Sequence, residues 1–310
     1  MKIVLLGASG QLGWELQRSL APLAEIVPLT RDDSSRRCGD LGRPDALAAT
    51  VRTIAPDVIV NAAAYTAVDR AETEAAVAQV ANAFAPGVLA TVAKDTGAWL
   101  VHYSTDYVFS GSGAKAWDES SATGPLNVYG RTKLEGEDLI RSSGCRHLIF
   151  RTSWVYSARG RNFLKTILRL AREQDTINVV DDQFGAPTGA ELIADITAHA
   201  LCAVRASPGL SGLYHLSASG ATSWYEYACR VVDRARNSGL PLVLGPRGVM
   251  PMSSVSYPAG ARRPGNSRLD CSLLRETFRV ELPTWEHGVD RVLTELLELE
   301  SRVATTGGRK

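Results

Sequence analysis

The sequence has few cysteines, no excess of either charge sign and no long apolar run. Its five cysteines are scattered over 310 residues without a Cys-x-x-Cys pair, which argues against a disulfide framework or a zinc site. The 34 lysines and arginines against 33 aspartates and glutamates leave a net charge of +1, which disfavours binding to nucleic acid through a basic face. A membrane span needs about 20 apolar residues, and the apolar run that opens the chain stops at Gly7. We therefore expect a cytoplasmic protein with no nucleic-acid or membrane partner.

Strand and helix patterns alternate along the first half of the chain. Apolar runs predict strands at residues 2–6, 25–29, 57–60 and 99–104, and helical spacing predicts helices at 11–20, 44–54, 71–96 (broken near Pro86) and 127–141. Such alternation is typical of an α/β fold with a Rossmann-like, doubly wound parallel sheet. Gly-, Pro- and Ser-rich stretches later in the chain predict a smaller C-terminal substrate-binding lobe. We assign residues 1–155 and 186–222 to the dinucleotide-binding domain and residues 156–185 and 223–310 to the lobe.

Three glycines, Gly7, Gly10 and Gly13, lie between the first predicted strand and the first predicted helix. Glycine allows a tight turn, a close approach of a pyrophosphate and close packing of the helix on the sheet, while N–H groups at the helix start bind the anion. The Gly-x-x-Gly-x-x-Gly spacing differs from the usual dinucleotide spacing, and three glycines alone also fit a purely structural turn. Their place between strand and helix favours a bound dinucleotide.

The residues after the second strand bear on which dinucleotide binds. An acidic side chain there binds a ribose 2′-hydroxyl, and an arginine accommodates a 2′-phosphate. Arg31 at the end of this strand favours NADPH, while Asp32 and Asp33 directly after it leave NADH open. Four further residues near the strand ends are candidates to contact the dinucleotide: Asp40, Leu41, Ala63 and Ala64. The two alanines fit close packing of the backbone equally well.

A tyrosine and a lysine four residues apart, Tyr129 and Lys133, lie near the start of a predicted helix. Residues at this spacing share one helical face, and an ammonium beside a phenol lowers the phenol's pKa from about 10. We expect Tyr129 to exchange a proton with the substrate, while Lys133 tunes the phenol and hydrogen-bonds a ribose. Thr105 ends the fourth strand, where open parallel sheets place their sites, and could donate to a substrate carbonyl. A strand-ending turn and an amphipathic helix start would explain the same residues without chemistry.

Together, the glycine turn, residues 61–64, residues 104–109 and the Tyr129/Lys133 pair resemble the extended short-chain dehydrogenase/reductases that act on nucleotide sugars. Further blocks resemble the members of this family that reduce a dTDP-linked 4-keto sugar: residues 14–17, 102–109, 125–130, 151–156, 182–188 and 263–267. The resemblance implies reduction of the C4 carbonyl of dTDP-4-dehydro-β-L-rhamnose by NAD(P)H, giving dTDP-β-L-rhamnose. Tyr129 would then donate the proton, Lys133 would bind ribose and Thr105 would polarise the carbonyl.

The same resemblance implies a set of binding residues. Its cofactor contacts fall on Gly10, Gln11, Leu12, Asp40, Leu41, Ala64, Tyr65, Thr66 and Tyr103. Its sugar-nucleotide contacts fall on Thr105, Asp106 and Trp154. Arg263, beside a Pro-Gly pair, is a candidate to pair with the substrate diphosphate, although a solvated charge fits as well. Some family members are homodimers that hold Mg²⁺ between subunits through glutamates, which correspond to Glu15, Glu191 and Glu295; exposed helix residues would look the same.

Two other functions share much of this pattern. An epimerase or dehydratase of the same fold has the tyrosine and lysine, but dehydratases need an acidic pair beside the hydroxyl, and Thr105 is followed by Asp106 and then Tyr107. A dinucleotide-binding regulatory subunit, such as the β subunit of methionine adenosyltransferase, has no need of a proton donor. The presence of Thr105, Tyr129 and Lys133 together therefore favours an enzyme.

Overall fold

The computed structural model describes residues 1–31 and 37–307, with side chains as far as residue 298. In chain order the strands are β1 (Lys2–Leu6), β2 (Glu25–Leu29), β3 (Val58–Asn61), β4 (Trp99–Thr105), β5 (Arg146–Thr152), β6 (Val155–Tyr156), β7 (Ile177–Val180), β8 (Phe184–Gly185), β9 (Thr188–Gly189), β10 (Gly212–His215), β11 (Thr222–Ser223) and β12 (Val249–Met252). The helices are α1 (Gln11–Leu20), α2 (Pro44–Ile54), α3 (Val68–Ala71), α4 (Ala75–Gln79), α5 (Ala85–Thr96), α6 (Val128–Ser143), α7 (Phe163–Glu173), α8 (Ala190–Ala206), α9 (Trp224–Asn237), α10 (Ser272–Phe278) and α11 (Trp285–Gly307).

Six parallel strands form the central sheet in the order β10-β5-β4-β3-β1-β2. The chain runs from β1 to β2 on one side and then crosses to β3 on the other side of β1. Open α/β sheets bind ligands at the carboxyl ends of the strands beside such a reversal. Gly7 follows β1 and Ala62 follows β3 at this point. The predicted doubly wound, Rossmann-like sheet is confirmed.

Helices cover both faces of the sheet because successive strand residues point to opposite faces. On one face Ile3 and Leu5 of β1 pack with α1 and α8, and on the other face Val4 and Leu6 pack with α2 and α5. All four β1 side chains are fully buried. Burial on both faces explains why the strands appear in the sequence as continuous apolar runs rather than as alternating patterns.

One helical run extends from Ala75 to Thr96 through a π-helical segment, Val80–Phe84. The predicted break near Pro86 is wrong. Proline has no N–H to donate, and the segment before it has wider hydrogen bonding, in which the Ala85 N–H bonds the Val80 carbonyl five residues back. The run is long and apolar enough to cross a membrane by length and composition alone. However, its Leu89 and Val92 are buried against the central sheet, as in a core helix.

A separate apolar cluster lies among α7, β7, α9 and α11. Its buried members include Ile167, Ile177, Val231 and Val289. β12 pairs in parallel with β7, so segments far apart in sequence build this second cluster. The interleaved division of the chain at residues 155, 185 and 222 stays a prediction.

Candidate active site

The three glycines of the first turn are glycine for different reasons. Gly7 has a φ of 75°, and a Cβ there would lie 2.8 Å from the backbone nitrogen of Ala63. A Cβ on Gly13 would collide with the Gly7 carbonyl oxygen. Gly10 is exposed, and its Cβ would meet only that same carbonyl, at 3.2 Å. Gly10 therefore leaves an open approach beside the first turn of α1, where a pyrophosphate would lie.

The N-terminus of α1 is available to an anion. No side chain caps its first turn, and no acidic residue lies in that turn, so backbone N–H groups and the helix dipole favour negative charge there. The Gln11 Oε1 accepts hydrogen bonds from Asn162 Nδ2 at 2.8 Å and from Ser157 Oγ at 3.4 Å, which ties the turn to the segment between β6 and α7. Leu12 packs partly buried against the core. The turn thus fits a dinucleotide pyrophosphate.

We expect Gly13→Ala to weaken NADPH binding by at least about tenfold and to lower the free energy of unfolding by about 1–3 kcal/mol, as overpacking does. The added Cβ collides with the Gly7 carbonyl, so the turn must open. Fluorescence titration with NADPH and urea unfolding measure the two effects. Gly209→Ala is the matched control, because open space surrounds that position. Parental affinity in Gly13→Ala would remove this glycine from the cofactor turn.

The structure describes only some of the residues after β2 that are predicted to contact the dinucleotide. Arg31 lies two residues after the end of β2 and is exposed, whereas Asp32 and Asp33 lie outside the described residues. The Asp40 carboxylate accepts a hydrogen bond from a backbone N–H two residues on, at 2.9 Å, and Leu41 is buried in the core. Arg31 therefore places a positive side chain at the strand end where a 2′-phosphate would lie.

The predicted cofactor residues after β3 are Ala63, Ala64, Tyr65 and Thr66. The backbone of Ala63 lies against Gly7, so this segment borders the glycine turn. Tyr65 is held at both ends, because its N–H donates to Asn82 Oδ1 at 2.9 Å and its hydroxyl donates to Glu74 Oε2 at 2.6 Å. Ala63 and Ala64 are partly buried, and Thr66 is exposed. The structure thus brings the first turn and the end of β3 together.

Helix α6 begins where it can place the predicted tyrosine at the end of β4. Asn127 caps the helix, because its Oδ1 accepts the N–H of Gly130 at 2.8 Å. The Val128 N–H donates to Glu72 Oε1 at 2.7 Å. A Cβ on Gly130 would collide with the carbonyl oxygen of Tyr107. The glycine therefore lets the first turn of α6 dock directly on the segment that follows β4.

The Tyr129 hydroxyl lies beside the Thr105 hydroxyl, where α6 docks on the segment that follows β4. The Tyr129 side chain is half-buried, and its ring packs edge-on against Tyr107 with centroids 5.7 Å apart. Burial raises the pKa of Tyr129 to about 12; a hydrogen bond with Thr105 opposes the rise, and the charge of Asp106 adds to it. The phenol is therefore protonated at neutral pH, the form that a proton donor needs.

Lys133 lies one turn further along α6, and its amine contacts β4. Its Nζ lies 3.0 Å from His102 Nε2 and donates to the Tyr103 carbonyl oxygen at 2.6 Å. Burial lowers the pKa of Lys133 to about 8, against an opposing effect of Glu137. Burial raises the pKa of Tyr129, and Lys133 is not among the groups that shift it, so tuning of the phenol by Lys133 stays a prediction.

The ring of Tyr103 lies on the opposite face of the sheet from Lys133. Its hydroxyl shares a hydrogen bond with Thr197 Oγ1 at 2.8 Å, and the ring stacks on Phe150. Side chains alternate along a strand, so this orientation leaves the backbone carbonyl as the part of Tyr103 that contacts Lys133. Contact with the cofactor through the tyrosine ring is therefore not favoured.

Asp106 is a buried carboxyl beside Thr105 and Tyr129. Its side chain is 2% exposed; Thr105 Oγ1 donates to Oδ1 at 3.0 Å, and Oδ2 has no hydrogen-bond partner in the described part of the chain. Burial raises the pKa of Asp106 to about 6, and the nearby hydroxyls of Ser267 and Thr105 limit the rise. A buried oxygen without a partner is costly. A hydroxyl of a bound sugar would satisfy it, which supports the predicted substrate contact.

Asp106 should make stability depend on pH in an identifiable way. The folded pKa of about 6 exceeds the unfolded value of about 4, so between these values the folded state binds more protons and stability falls as pH rises. We expect Asp106→Asn to remove this slope and to gain up to about 3 kcal/mol over the parent between pH 4 and pH 7. Urea unfolding of both proteins at several pH values measures the difference. A difference that stays constant with pH would contradict the assignment.

The predicted substrate residues Trp154 and Arg263 already have partners. Trp154 has a φ of 49°, and Trp224 stacks on its indole with centroids 3.6 Å apart. The indole thus has one face covered, which limits the contact that Trp154 can make with a sugar. Arg263 Nη2 pairs with Asp69 Oδ2 at 2.8 Å. Its charge is therefore engaged within the chain, and pairing with a substrate diphosphate would have to compete with Asp69.

The predicted Mg²⁺ ligands do not come together within one chain. Among the described residues, no group of three or more His, Cys, Asp or Glu side chains could hold a metal ion. Burial raises the pKa of Glu191, which lies 4.0 Å from Arg291 Nε. Glu15 pairs with Arg18 at 3.2 Å, and Glu295 is exposed on α11. A metal held between subunits stays a prediction.

Two buried polar residues at the site received no role from the sequence, Asn61 and His102. Each is 1% exposed, and Asn61 Nδ2 lies 3.1 Å from His102 Nδ1. They lie in β3 and β4, whose other residues are mostly apolar because helices cover both faces. A polar side chain in such a strand signals a buried hydrogen bond, and this signal was present in the sequence.

The fold and the site define a class of protein. A doubly wound parallel sheet, a glycine turn open to a pyrophosphate, and Thr105, Tyr129 and Lys133 at one strand end are the parts of a dinucleotide-dependent oxidoreductase. This arrangement is of the short-chain dehydrogenase/reductase type.

Comparison with known proteins gives the family. Residues 1–298 match the family model described as RmlD substrate binding domain. The chain is 53% identical over 296 residues to dTDP-4-dehydrorhamnose reductase of Salmonella typhimurium, covering 96% of this chain and 98% of that protein; for the Escherichia coli K12 reductase the identity is 52% with the same coverage. A crystal structure of dTDP-4-dehydrorhamnose reductase from Bacillus anthracis in complex with NADP has a TM-score of 0.83 and 34% identity, covering 95% of this chain and 99% of that chain. The chain belongs to the RmlD substrate binding domain family.

Proposed function

We propose that this protein reduces the C4 carbonyl of dTDP-4-dehydro-β-L-rhamnose with NADPH, giving dTDP-β-L-rhamnose. The observation that carries the proposal is the hydrogen bond between Tyr129 and Thr105 at the carboxyl end of β4. This strand end lies at the same edge of the sheet as the open glycine turn. The names of the relatives support the sugar substrate. The relative bound to NADP and the position of Arg31 support NADPH, with NADH as the alternative.

The residues present fit a bound dinucleotide. Gly10 leaves space beside the uncapped start of α1 for the pyrophosphate, and the Lys133 amine, which has two partners in the protein, would use its remaining direction for a ribose hydroxyl. When bound, NADPH supplies the hydride that reduces the sugar C4 carbon. Tyr129, protonated at neutral pH, donates its proton to the developing alkoxide oxygen.

Thr105 and Asp106 orient the substrate in this scheme. The Thr105 hydroxyl donates its one proton to Asp106 Oδ1 at 3.0 Å and lies beside the phenol, so it would have to turn that proton from Asp106 to the substrate carbonyl to polarise it. Donors that are fixed before reaction in a site sheltered from water contribute several kcal/mol of transition-state stabilisation, and the protonated phenol of Tyr129 is such a donor. The free oxygen of Asp106 would accept a sugar hydroxyl.

A direct assay tests the function. Purified protein is mixed with NADPH and dTDP-4-dehydrorhamnose, and the absorbance of the reduced nicotinamide is followed. We expect one NADPH to be consumed for each sugar reduced, and more slowly with NADH. An epimerase or dehydratase would recycle its cofactor without net loss, and a regulatory subunit would bind NADPH without turnover; either result would contradict the proposal.

We also propose that the protein acts in the cytoplasm as a homodimer, without nucleic-acid or membrane partners. Glu15, Glu191 and Glu295 would meet their counterparts at the subunit interface to hold Mg²⁺, since carboxylate oxygens suit this ion. Sedimentation with and without a chelator tests this arrangement. A monomer whose mass and activity do not respond to Mg²⁺ would contradict it.

A further inference from the structure

The Lys133 amine is buried and makes most of its hydrogen bonds within the protein. The side chain is 1% exposed, and its Nζ contacts the Tyr103 carbonyl oxygen at 2.6 Å and His102 Nε2 at 3.0 Å. A tetrahedral nitrogen bonded to its own side chain and to these two partners has one direction left. Any hydrogen bond from Lys133 to a cofactor must use that direction, so its two protein partners decide where it points.

Asn61 determines which nitrogen of His102 carries the proton. The Ala63 N–H donates to Asn61 Oδ1 at 3.2 Å, which turns the Asn61 amide nitrogen toward His102 Nδ1, 3.1 Å away. An amide NH₂ group only donates, so Nδ1 must accept. Burial holds the pKa of His102 well below its usual value, so the ring is neutral. Its single proton must therefore lie on Nε2.

The orientation of His102 favours an uncharged Lys133. An Nε2–H faces Nζ, and an amine can accept this hydrogen bond whereas an ammonium cannot. The lowered pKa of Lys133, about 8, agrees with this geometry. To hold an ammonium, His102 would need the other tautomer, and Asn61 would have to turn its amide and lose the hydrogen bond from Ala63.

We propose that His102 is a positioning residue for Lys133: oriented by Asn61, it aims the lysine amine and favours its uncharged form until the dinucleotide binds. The inference rests on the proposed function, in which Lys133 meets the cofactor ribose. The charged groups that face the amine are few. Glu137 lies on the same helix and is ion-paired with Arg151 of β5 at 2.6 Å, and His102 of β4 is neutral.

Binding of NADPH should therefore be accompanied by uptake of a proton. The phosphates of the dinucleotide bring negative charge, which favours the ammonium form of Lys133. Because about half of the lysine is uncharged at pH 8, we expect uptake of about half a proton per NADPH bound at that pH. Titration calorimetry in buffers of different ionisation heats measures this number directly, without turnover.

Two substitutions separate the contacts of His102. His102→Asn places an amide at the Nδ1 position, so it keeps the contact with Asn61 and loses the contact with Lys133. His102→Gln places an amide at the Nε2 position, so it still contacts Lys133 but no longer has its direction set by Asn61. We expect proton uptake at pH 8 to fall about fivefold in both, as a rise of one pKa unit would give. The affinity for NADPH should fall about tenfold in His102→Asn alone.

The outcomes distinguish this inference from the proposed function. Proton uptake that is absent from the parent, or unchanged in both variants, would overturn the role of His102 while leaving NADPH binding and turnover intact. A parent that binds no NADPH would overturn both proposals. Thermal unfolding shows whether each variant is folded. If one of them is not, the other decides: parental proton uptake in it would overturn the role of His102, since burial of Lys133 alone also gives uptake in the parent.

Discussion

Replacing Tyr129 by phenylalanine is expected to lower kcat by about 10²–10⁴ while NADPH still binds, because the substitution removes a general acid and little else. The phenylalanine ring can keep the edge-on contact with Tyr107 at 5.7 Å. The lost hydroxyl is the group that meets Thr105, and burial keeps it protonated by raising its pKa to about 12. Steady-state turnover with the dTDP-sugar and fluorescence titration with NADPH measure the two quantities.

A second tyrosine gives the control for this experiment. Tyr214 is also buried, and its hydroxyl donates to the Leu210 carbonyl at 2.9 Å, in β10 at the edge of the sheet. Tyr214→Phe removes the same atom from a place with no proposed chemistry, so it should keep parental turnover. If Tyr129→Phe turns over as fast as the parent, the phenol has no part in the reaction and another donor must be sought.

The sequence predicts the sheet and the first turn well because both depend on local patterns. Strands buried on two faces need continuous apolar runs, and such runs mark β1, β3 and β4, whereas the edge strand β2 is exposed at Glu25 and Pro28. The collision of a Cβ at Gly13 with Gly7 is a short-range constraint that the glycine spacing already shows. The spacing of Tyr129 and Lys133 likewise places both on α6, since helical spacing is a local property.

Contacts between distant segments could not be predicted in this way. The spacing of Tyr129 and Lys133 does not predict that His102 and Tyr103 of strand β4 contact the lysine amine. For the same reason the rise in the pKa of Tyr129 could not be predicted, because the burial that causes it depends on the whole fold. The covered face of Trp154 depends on Trp224, seventy residues later in the chain.

The buried ion pair between Glu137 and Arg151 should contribute the largest single effect on stability. Arg151 Nη2 lies 2.6 Å from Glu137 Oε2, with side chains 3% and 0% exposed, and the pair joins α6 to β5. Glu137→Gln leaves a buried guanidinium uncompensated, so we expect a loss of about 3–5 kcal/mol in the free energy of unfolding.

The exposed pair Arg169 and Glu173 on α7 is the matched control, because water already solvates both charges. Glu173→Gln should change the free energy of unfolding by no more than about 0.5 kcal/mol. In the double variant Glu137→Leu with Arg151→Met, both buried charges are gone, so it should be more stable than Glu137→Gln. Urea unfolding of the four proteins measures these differences. Equal losses of unfolding free energy in Glu137→Gln and Glu173→Gln would mean that the buried arginine finds another partner. In that case α6 would not depend on this ion pair to hold Tyr129 and Lys133 against β4.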